Sequence, residues 1–547
     1  MPPFLSTRTT SLLASLALLS TLSLPALAAK PLQIKTAQGK VEGTFTADQQ
    51  VRAFKGIPFA APPVGDLRWQ PPQPAAKWKG TRLAHDFGPH CEQSTTYNDM
   101  VFHDPGPSED CLTLNVWAPT GAKPGTLPVM IWIYGGGYTS GSTSENRQDG
   151  EFLAHRNVIV VSMNYRLGIF GFFSHPELTA ESAHHASGNY GLMDQAAAIA
   201  WVKRNIAPFG GDPNNLTLFG ESAGSFSVSA QMASPLAKDL LAKAIGESGA
   251  PFFSSGLAFP PLLQSEQIDA NFAQSAFGTS KLADLRKLSP EDLIKAATAK
   301  STPPPPRFGP NIDGYFLPDS VPNLYAAGKQ AHIPLLAGWN ADEGRPTVLF
   351  AKPQPTAASF TAQAVHDFGD RAPEFLRDYP ATTDAVALAS AGDFAGDRFI
   401  AFSTWRWLEA QTLTGNAPVY RYFFTLGSPG DQNHSAAMGA FHSDDIEYVF
   451  GTLDSRPGAV WRPEDRQLSN LIGQYWTNFA RTGNPNTSIS KANTTSTPTP
   501  NDLPNWPTYS PSTGWQTMHL NANPNATPDT LRPRYLFLDS IWANPKN

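Results

Sequence analysis

Residues 209–224 read F-G-G-D-P-N-N-L-T-L-F-G-E-S-A-G, and this stretch decides the fold. Its first half, residues 210–214, is predicted to be a loop of Gly, Asp, Pro and Asn. Residues 216–219 are apolar and predict a short strand. Gly220-Glu221-Ser222-Ala223-Gly224 follows, and the residues after it favour a helix. A strand, G-x-S-x-G and a helix in this order are typical of a nucleophile elbow.

The glycines of this motif have a steric role. Strand and helix can pack closely around a serine on a tight turn only where the neighbouring residues lack a Cβ. The turn exposes the Ser222 hydroxyl and puts the next amide, that of Ala223, at a helix N-terminus, which favours a developing oxyanion. A Gly-rich turn before a helix is the alternative, but the preceding strand and the candidate partners further along the chain favour a nucleophile.

A second stretch, Gly246-Glu247-Ser248-Gly249-Ala250, repeats the first three residues of the motif, Gly-Glu-Ser. It lacks the glycine two residues after the serine, so Ser248 is not predicted to occupy the same tight turn. We interpret Ser248 as structural, or at most as a residue that contacts the catalytic side chains without contacting the substrate.

The composition of the chain limits the class of protein to which it can belong. The chain has 547 residues, of which 41% are hydrophobic and 11% aromatic, and it can bury a large globular core. Its 51 prolines and 43 glycines indicate many turn-rich loops. The formal charge of −6 is spread along the chain, and no Lys/Arg run indicates nucleic acid or an anionic membrane as a partner.

The N-terminus resembles a secretory signal. Arg8 precedes an apolar run over residues 12–24, and Ala26-Leu27-Ala28 forms an A-x-A cleavage site. The sequence predicts a signal peptide over residues 1–28, cut after Ala28, and therefore a secreted or periplasmic protein. A membrane anchor is the weaker alternative because the run is short, and no later segment is long and apolar enough to span a bilayer.

Two cysteines, Cys91 and Cys111, fit an exported chain. In an oxidising compartment such a pair favours a disulfide, which would contribute about 3 kcal/mol by closing the loop. Two buried thiols are the alternative, and neither cysteine is a candidate nucleophile.

Apolar runs and helical stretches alternate along the chain, which predicts an α/β fold with a mostly parallel central sheet and helices on both faces. The strands are predicted over residues 112–117, 129–134, 158–164, 216–219, 334–337 and 419–424, with a hairpin over 32–45 and helices over 194–206 and 235–245. The Pro-rich segment 56–65 is predicted to be neither helix nor central strand, but an ordered surface segment.

One catalytic domain over residues 29–547 is the simplest organisation. Residues 251–330 and 351–415 carry helical pieces broken by prolines, and we interpret them as helical insertions over the carboxyl ends of the strands. Surface decoration is the alternative. Residues 484–508, rich in Asn, Thr, Ser and Pro, are predicted to form a long mobile loop.

A glycine loop after a predicted strand offers oxyanion donors. Gly135-Gly136-Gly137-Tyr138 follows residues 129–134, and three glycines let backbone amides approach a substrate oxygen. A dinucleotide loop is excluded because Ser140 stands at the third glycine position, and no Gly-Lys is followed by Ser or Thr as in a P-loop.

An acid and a base must follow Ser222 in the order that hydrolases of this type use. Glu343 stands just past a predicted strand and is the candidate acid, with Asp342 as the alternative; either could be a solvated loop carboxylate. Among the later histidines, His442 is the best base on spacing, His366 and His434 are predicted to be solvated, and His519 remains.

The chain resembles the type-B carboxylesterase family, which includes the cholinesterases and many bacterial esterases. The resemblance runs from about residue 33 to the C-terminus and rests on residues 209–224, on the E-D-C-L-T-L-N-V-W of residues 109–117, on the glycine loop, on Asp342-Glu343-Gly344 and on the segment around His442. It implies an α/β-hydrolase fold with Ser222 as nucleophile, Glu343 as acid and His442 as base.

The resemblance also implies supporting features. The amides of Gly136, Gly137 and Ala223 would form the oxyanion hole, Cys91 and Cys111 a disulfide, and two structural ion pairs would join Arg68 to Glu109 and Arg166 to Asp194. The chain departs from the cholinesterases in one respect, since residues 92–110 contain Tyr97 and Phe102 but no tryptophan. Choline esters are therefore not the expected preferred substrate.

These features predict a serine esterase that acts through an acyl-enzyme on small to medium carboxylic esters and needs no metal or organic cofactor. The chain has no H-E-x-x-H or C-x-x-C, and its paired His184-His185 lacks a ligand set. Tyr138, Tyr97 and Glu221 are candidate pocket residues, although both tyrosines could equally be packed aromatics. A lipase for longer chains, a serine peptidase and a non-catalytic binding protein are the alternatives.

Overall fold

The computed structural model of the chain describes residues 32–94, 97, 99–252, 258–486 and 503–542. The predicted signal peptide, residues 1–28, lies outside the described residues, as does most of the loop predicted over residues 484–508. The residues from Gln33 onward belong to one compact unit.

A large twisted sheet organises the described part of the chain. Eleven strands form it in the order β16-β15-β14-β13-β12-β11-β9-β10-β8-β4-β3, and β1, β2 and β5 form a separate small sheet. The strands are β1 (Gln33–Lys35), β2 (Lys40–Glu42), β3 (Thr44–Phe45), β4 (Val51–Pro58), β5 (Thr81–Leu83), β6 (His90–Cys91), β7 (Pro107–Ser108), β8 (Thr113–Pro119), β9 (Leu127–Ile133), β10 (Ile159–Met163), β11 (Gly211–Glu221), β12 (Lys243–Glu247), β13 (Leu335–Asn340), β14 (Val419–Phe424), β15 (Gln516–Leu520) and β16 (Asn525–Pro528).

The centre of the sheet is parallel. Neighbouring strands from β10 through β9, β11, β12, β13 and β14 to β15 all pair in parallel, whereas β8, β4, β3 and β16 add antiparallel edges. The central strands β9 and β10 are almost wholly buried apolar runs, as expected where both faces of a parallel sheet are covered. The predicted opening hairpin is confirmed, since β1 pairs antiparallel with β2.

Seventeen α-helices surround the sheet in the described residues. They are α1 (Glu151–Ala154), α2 (Gly168–Phe172), α3 (Pro176–Glu181), α4 (Tyr190–Asn205), α5 (Ala223–Ala233), α6 (Leu262–Phe277), α7 (Leu282–Leu285), α8 (Pro290–Ala297), α9 (Val321–Ala326), α10 (Arg345–Leu349), α11 (Ala357–Phe368), α12 (Ala372–Asp378), α13 (Asp384–Gly396), α14 (Phe402–Thr414), α15 (Ile446–Phe450), α16 (Pro463–Thr482) and α17 (Arg532–Trp542). A π-helical turn, Asp397–Ala401, joins α13 to α14.

Helices cover both faces of the sheet, as predicted. Adjacent residues of a strand point to opposite faces. On β12, the Glu247 side chain bonds to the indole of Trp476 in α16 at 2.7 Å, whereas a methyl group on Gly246 would strike the indole of Trp407 in α14. Helices α16 and α14 therefore pack on opposite faces, and the predicted α/β fold class is confirmed.

Three local predictions are wrong. Residues 235–245 do not form an α-helix: they contain one 3-10 turn, Lys238–Leu240, and Lys243 then starts the buried strand β12, which pairs with β11 and β13. The prediction for the Pro-rich segment 56–65 is wrong only at Gly56–Pro58, which end β4 and pair there with β8 alone after a register shift and the positive φ of Gly56. Residues 59–64 belong to no helix and no named strand, as predicted. The predicted loop over residues 210–214 largely belongs to β11, which pairs with β9 from Gly211 and shifts register before Leu216.

The two predicted insertions contain helices α6 to α9 and α11 to α14. Helix α14 packs against both β13 and β14, so it is the helix that covers the crossover between these two parallel strands. Helices α11, α12 and α13 pack mainly on one another and on neighbouring helices.

A disulfide and two buried ion pairs tie the long loops to this framework. Cys91 and Cys111 are bonded. The Arg68 guanidinium binds Glu109 with both branches, at 2.7 and 2.5 Å. Arg166, which follows β10, likewise forms two 2.8 Å hydrogen bonds to the fully buried Asp194 of α4.

We expect Arg166→Met to lower the free energy of unfolding by about 3–5 kcal/mol, because it leaves the Asp194 carboxylate buried without its partner. Urea unfolding measures the change. Arg371→Met removes an exposed pair with Glu374 and should change stability little. The double variant Arg166→Met, Asp194→Leu should regain most of the loss, and an equal loss in the single and double variants would contradict this account.

Candidate active site

The candidate site residues lie at one edge of the sheet, where parallel strands end. Ser222 follows β11, the glycine loop Gly135-Gly136-Gly137 follows β9, Ser248 follows β12 and Glu343 follows β13 by three residues. In open α/β sheets, ligands bind outside the carboxyl ends of the strands. The topology alone therefore brings these separate loops together.

Ser222 occupies a strained turn between β11 and α5. Its backbone has φ 54° and ψ −122°, a conformation that costs a non-glycine residue about 1–3 kcal/mol. Its amide donates a 2.9 Å hydrogen bond to the carbonyl of Glu247. A methyl group on Gly224 would lie 2.0 Å from the carbonyl oxygen of Ile133, and one on Gly220 would lie 2.6 Å from it. Both glycines are thus required for the turn to lie against the end of β9.

His442 joins Ser222 to Glu343. Its Nε2 lies 2.8 Å from the Ser222 hydroxyl and its Nδ1 lies 2.6 Å from Glu343 Oε2. The imidazole is about one quarter exposed, whereas the Glu343 side chain is almost fully buried. The three side chains therefore form one continuous chain of hydrogen bonds from a partly accessible hydroxyl to a buried carboxylate.

The Glu343 carboxylate is also hydrogen-bonded on the side away from His442. Its other oxygen, Oε1, accepts hydrogen bonds from the Ser248 hydroxyl at 2.6 Å and from the amide of Asn340 at 2.9 Å. The Asn340 side chain also donates to the carbonyl of Phe441, the residue before His442. The acid and the base therefore share one support, and Ser248 contacts the site through Glu343.

Asp342, the alternative acid, faces elsewhere. Its carboxylate accepts from the amide of Ala440 and pairs with the side chain of Arg345, and no hydrogen bond joins it to His442 among the described residues. The structure therefore places Glu343, and not Asp342, beside the imidazole.

The remaining histidine candidates lie apart from Ser222. His366 is exposed, as predicted, and His519 in β15 bonds to Thr527. The prediction of a solvated His434 is wrong, because its ring is only 17% exposed, stacks on Phe441 and bonds to Asp431.

The glycine loop lies against the candidate nucleophile. A methyl group on Gly135 would lie 3.0 Å from the Cβ of Ser222, and Gly136 and Gly137 adopt positive φ of 96° and 64°. Among the described residues, neither the Gly136 nor the Gly137 amide donates a hydrogen bond. Ala223, the first residue of α5, supplies a third amide at the helix N-terminus. This arrangement suits an oxyanion.

Comparison with known proteins identifies the family. The model of the carboxylesterase family matches residues 30–537. The chain belongs to the carboxylesterase family.

Similar proteins include several esterases. The chain is 39% identical to fumonisin B1 esterase from Sphingopyxis macrogoltabida over 82% of each chain. It is 37% identical to para-nitrobenzyl esterase from Bacillus subtilis, covering 87% of this chain and 92% of the other, and 37% identical to bile salt-activated lipase from Bos taurus, covering 84% and 80%. A solved PNB esterase structure matches with a TM-score of 0.75 at 34% identity, covering 92% of this chain and 99% of that one. The chain is thus an α/β-hydrolase and a hydrolase of carboxylic esters.

Glu221 brings a second carboxylate to the imidazole. Its Oε1 lies 3.3 Å from His442 Nε2, and its side chain is buried. Burial raises the pKa of Glu221 to about 8, against the opposing attraction of His442. Burial alone lowers the pKa of His442, but the carboxylates of Glu221 and Glu343 outweigh it and raise that pKa to about 9.

The two tyrosines predicted as pocket residues differ in their exposure to solvent. Tyr138 is a packed aromatic, since it is only 4% exposed, contacts Phe172 edge to face and accepts a hydrogen bond from Ser227. Tyr97 is exposed, and its hydroxyl would lie 3.2 Å from a methyl group on Gly137. The sequence did not predict a role for Phe399 of the π-helical turn, whose ring meets the His442 ring edge to face with the ring centroids 4.9 Å apart.

Among the described residues, one group of carboxylates and an imidazole lies close enough together to bind a single metal ion. It consists of Asp48, Glu151 and His155, which lie at the surface and include no candidate site residue. Exposed acidic groups of this kind are common without an ion, so this group does not bear on the site.

The Glu221 carboxylate should determine the pH at which kcat/KM falls on the acid side of its pH profile (the acid limb). A general base must be neutral, so kcat/KM should rise as pH increases through the pKa of His442, above the 6.5 of an ordinary imidazole. Glu221→Gln removes a negative charge beside the imidazolium, and the limb should move to lower pH by about one unit or more. The pH dependence of kcat/KM for a neutral ester measures it.

Glu374→Gln, which neutralises an exposed carboxylate on α12, is the matched control and should leave the limb in place. A limb that stays fixed in Glu221→Gln, or moves to higher pH, would contradict this electrostatic account.

Proposed function

We propose that this carboxylesterase-family hydrolase is an exported serine esterase that works through an acyl-enzyme on Ser222, with His442 as base and Glu343 as the orienting acid. The observation that carries the proposal is the unbroken hydrogen-bond chain Ser222–His442–Glu343, with contacts of 2.8 and 2.6 Å. A non-catalytic binding protein would not need this arrangement of three side chains.

The acylation step follows from the geometry. His442 Nε2 takes the proton of Ser222 as its Oγ attacks the ester carbonyl carbon, and the carbonyl oxygen becomes an oxyanion. The amides of Gly136, Gly137 and Ala223 would bind this oxyanion. The tetrahedral intermediate then collapses, the C–O bond to the alcohol breaks, and the alcohol leaves with the proton from His442.

Deacylation repeats the steps with water. His442 removes a proton from water, which attacks the acyl carbon, and returns it to Ser222 Oγ as the acid product leaves. Glu343 keeps the imidazole in the tautomer with the proton on Nδ1 and stabilises the imidazolium. Ser248 and Asn340 keep the Glu343 carboxylate in place for both steps.

Small to medium carboxylic esters are the proposed substrates. The ring of Phe399 packs on His442 and the Tyr97 hydroxyl lies beside Gly137, so aromatic groups stand next to both the base and the glycine loop and would limit the size of a bound ester. Similarity to para-nitrobenzyl esterase supports this size class. A lipase-like activity on longer acyl chains is the second candidate, and similarity to bile salt-activated lipase favours it.

We also propose that the protein is exported. The N-terminal sequence supports this through its basic start, apolar run and A-x-A site. The Cys91–Cys111 disulfide fits an oxidising compartment. Among the helices of the described residues, none combines the length and the apolar character that crossing a bilayer demands.

Hydrolysis of a p-nitrophenyl ester series from acetate to palmitate tests the proposal. We expect the wild type to prefer short acyl chains, and Ser222→Ala to lose at least about a thousandfold in kcat, as for the loss of a triad member. Ser512→Ala, in the exposed turn Pro511–Thr513, is the matched control and should keep its activity.

Full activity in Ser222→Ala would contradict the proposed nucleophile. Activity lost in Ser222→Ala together with a preference for palmitate would retain the mechanism and replace the short-chain esterase with the lipase.

A further inference from the structure

An exposed arginine lies at the glycine loop of the candidate oxyanion hole. Arg307 Nη2 is 3.5 Å from the carbonyl oxygen of Gly137, and a methyl group on Gly137 would lie 3.6 Å from the same nitrogen. Gly137 is also the residue beside the Tyr97 hydroxyl. A guanidinium and a phenol therefore both stand next to the loop that would bind the substrate carbonyl.

The backbone of Arg307 is restrained on both sides. Residues 303–306 are four consecutive prolines, which fix φ and stiffen the chain. The next residue, Phe308, is buried and packs its ring on Phe173 and Phe272, with ring centroids 6.3 and 5.4 Å apart. The segment therefore presents the Arg307 side chain at a defined place in the fold, although the side chain itself is exposed.

The Arg307 guanidinium has no anionic partner among the residues that the structure describes. Within the described part of the chain, Arg307 forms no ion pair, and its polar contact to Gly137 is at the long limit of a hydrogen bond. The buried arginines Arg68, Arg166 and Arg456, in contrast, each bind a carboxylate. Most of the five donors of Arg307 are therefore free for a ligand.

The rest of the site would repel an anion. Glu221, Glu343 and Asp445 are all buried near His442, and the carboxylate of each raises the pKa of that imidazole. A substrate with a carboxylate near its scissile bond would meet this field and the developing oxyanion. A cation beside Gly137 offsets that repulsion, and a planar guanidinium can bind a carboxylate with two parallel hydrogen bonds.

We propose that Arg307 selects esters that carry a free carboxylate close to the scissile carbonyl, with the Tyr97 hydroxyl as a second donor. This inference rests on the proposed function, because it assumes that the glycine loop binds the ester carbonyl. It gives the substrate class a chemical identity, namely half-esters of dicarboxylic or polycarboxylic acids, or esters of hydroxy acids.

Matched pairs of esters test the proposal. Ethyl hydrogen succinate and ethyl succinamate differ only by a carboxylate or an amide on the acyl side. Carboxymethyl butyrate and carbamoylmethyl butyrate differ in the same way on the alcohol side. We would measure kcat/KM for all four by product release, in the wild type, Arg307→Gln and Arg307→Lys.

We expect Arg307→Gln to lower kcat/KM about tenfold for the charged member of at least one pair, and to change the neutral members by less than about twofold. Arg307→Lys should lose less, because it retains the charge without the planar fork. Arg377→Gln, which removes an exposed arginine on α12, is the matched control and should change neither member. The pair that responds shows whether the carboxylate lies on the acyl or the alcohol side.

Equal changes for the charged and neutral members in both pairs, or no change in either, would overturn the proposal. Retained hydrolysis in Ser222→Ala would instead overturn the proposed function, so the two failures are distinguishable. Thermal unfolding of each variant establishes that the folded enzyme is being compared.

Discussion

The structure of the site depends on one backbone turn, in which Ser222 holds a positive φ between β11 and α5. Gly224 and Gly220 let this turn press against the carbonyl of Ile133, at the end of β9, so the glycine loop that follows β9 must begin beside the serine. The Ser222 amide bonds to the carbonyl of Glu247, at the end of β12, and the next residue of that chain, Ser248, holds Glu343. The ends of three neighbouring strands thus fix the position of one hydroxyl, and the close contacts of the turn with β9 and β12 sustain the backbone strain at Ser222.

The electrostatic design follows from burial. Three carboxylates, Glu221, Glu343 and Asp445, lie in a region from which water is largely excluded, and each favours the protonated form of the one imidazole among them. Such a field stabilises the imidazolium that general-base catalysis creates, but it also disfavours any substrate anion that enters. The exposed guanidinium of Arg307 lies beside the glycine loop at Gly137, where it has the opposite sign and lacks a partner in the described chain. The carboxylates around His442 would then serve the catalytic step, whereas the Arg307 guanidinium, on a separate segment, would select the substrate.

The sequence predicted those parts of the site that are encoded locally. The strand, the G-x-S-x-G and the helix around Ser222, and the glycine loop after β9, are continuous motifs whose steric needs can be stated from residue type. His442 is 220 residues from Ser222, and the choice of Glu343 over Asp342 depends on which side chain a three-residue turn directs inward, so spacing left both open until the resemblance was considered. The strand β12 was mistaken for a helix because tertiary pairing overrides the local preference of residues 235–245. Phe399 and Arg307 were missed because they reach the site from a π-helical turn and a proline-rich segment, neither of which has a periodic signal.

If Ser222 becomes covalently acylated during turnover, a reagent that forms a stable bond to the nucleophile will be trapped on its hydroxyl. The wild-type enzyme would be treated with a fluorophosphonate ester, in which a serine oxygen displaces fluoride from phosphorus, then digested with trypsin and sequenced by mass spectrometry. Trypsin separates the two serines that share the G-E-S motif, since Ser222 falls in the peptide of residues 205–238 and Ser248 in that of residues 244–281. We expect one adduct per chain, on Ser222, with ester hydrolysis lost in proportion to labelling. An adduct on Ser248, or complete inactivation with Ser222 unmodified, would contradict it.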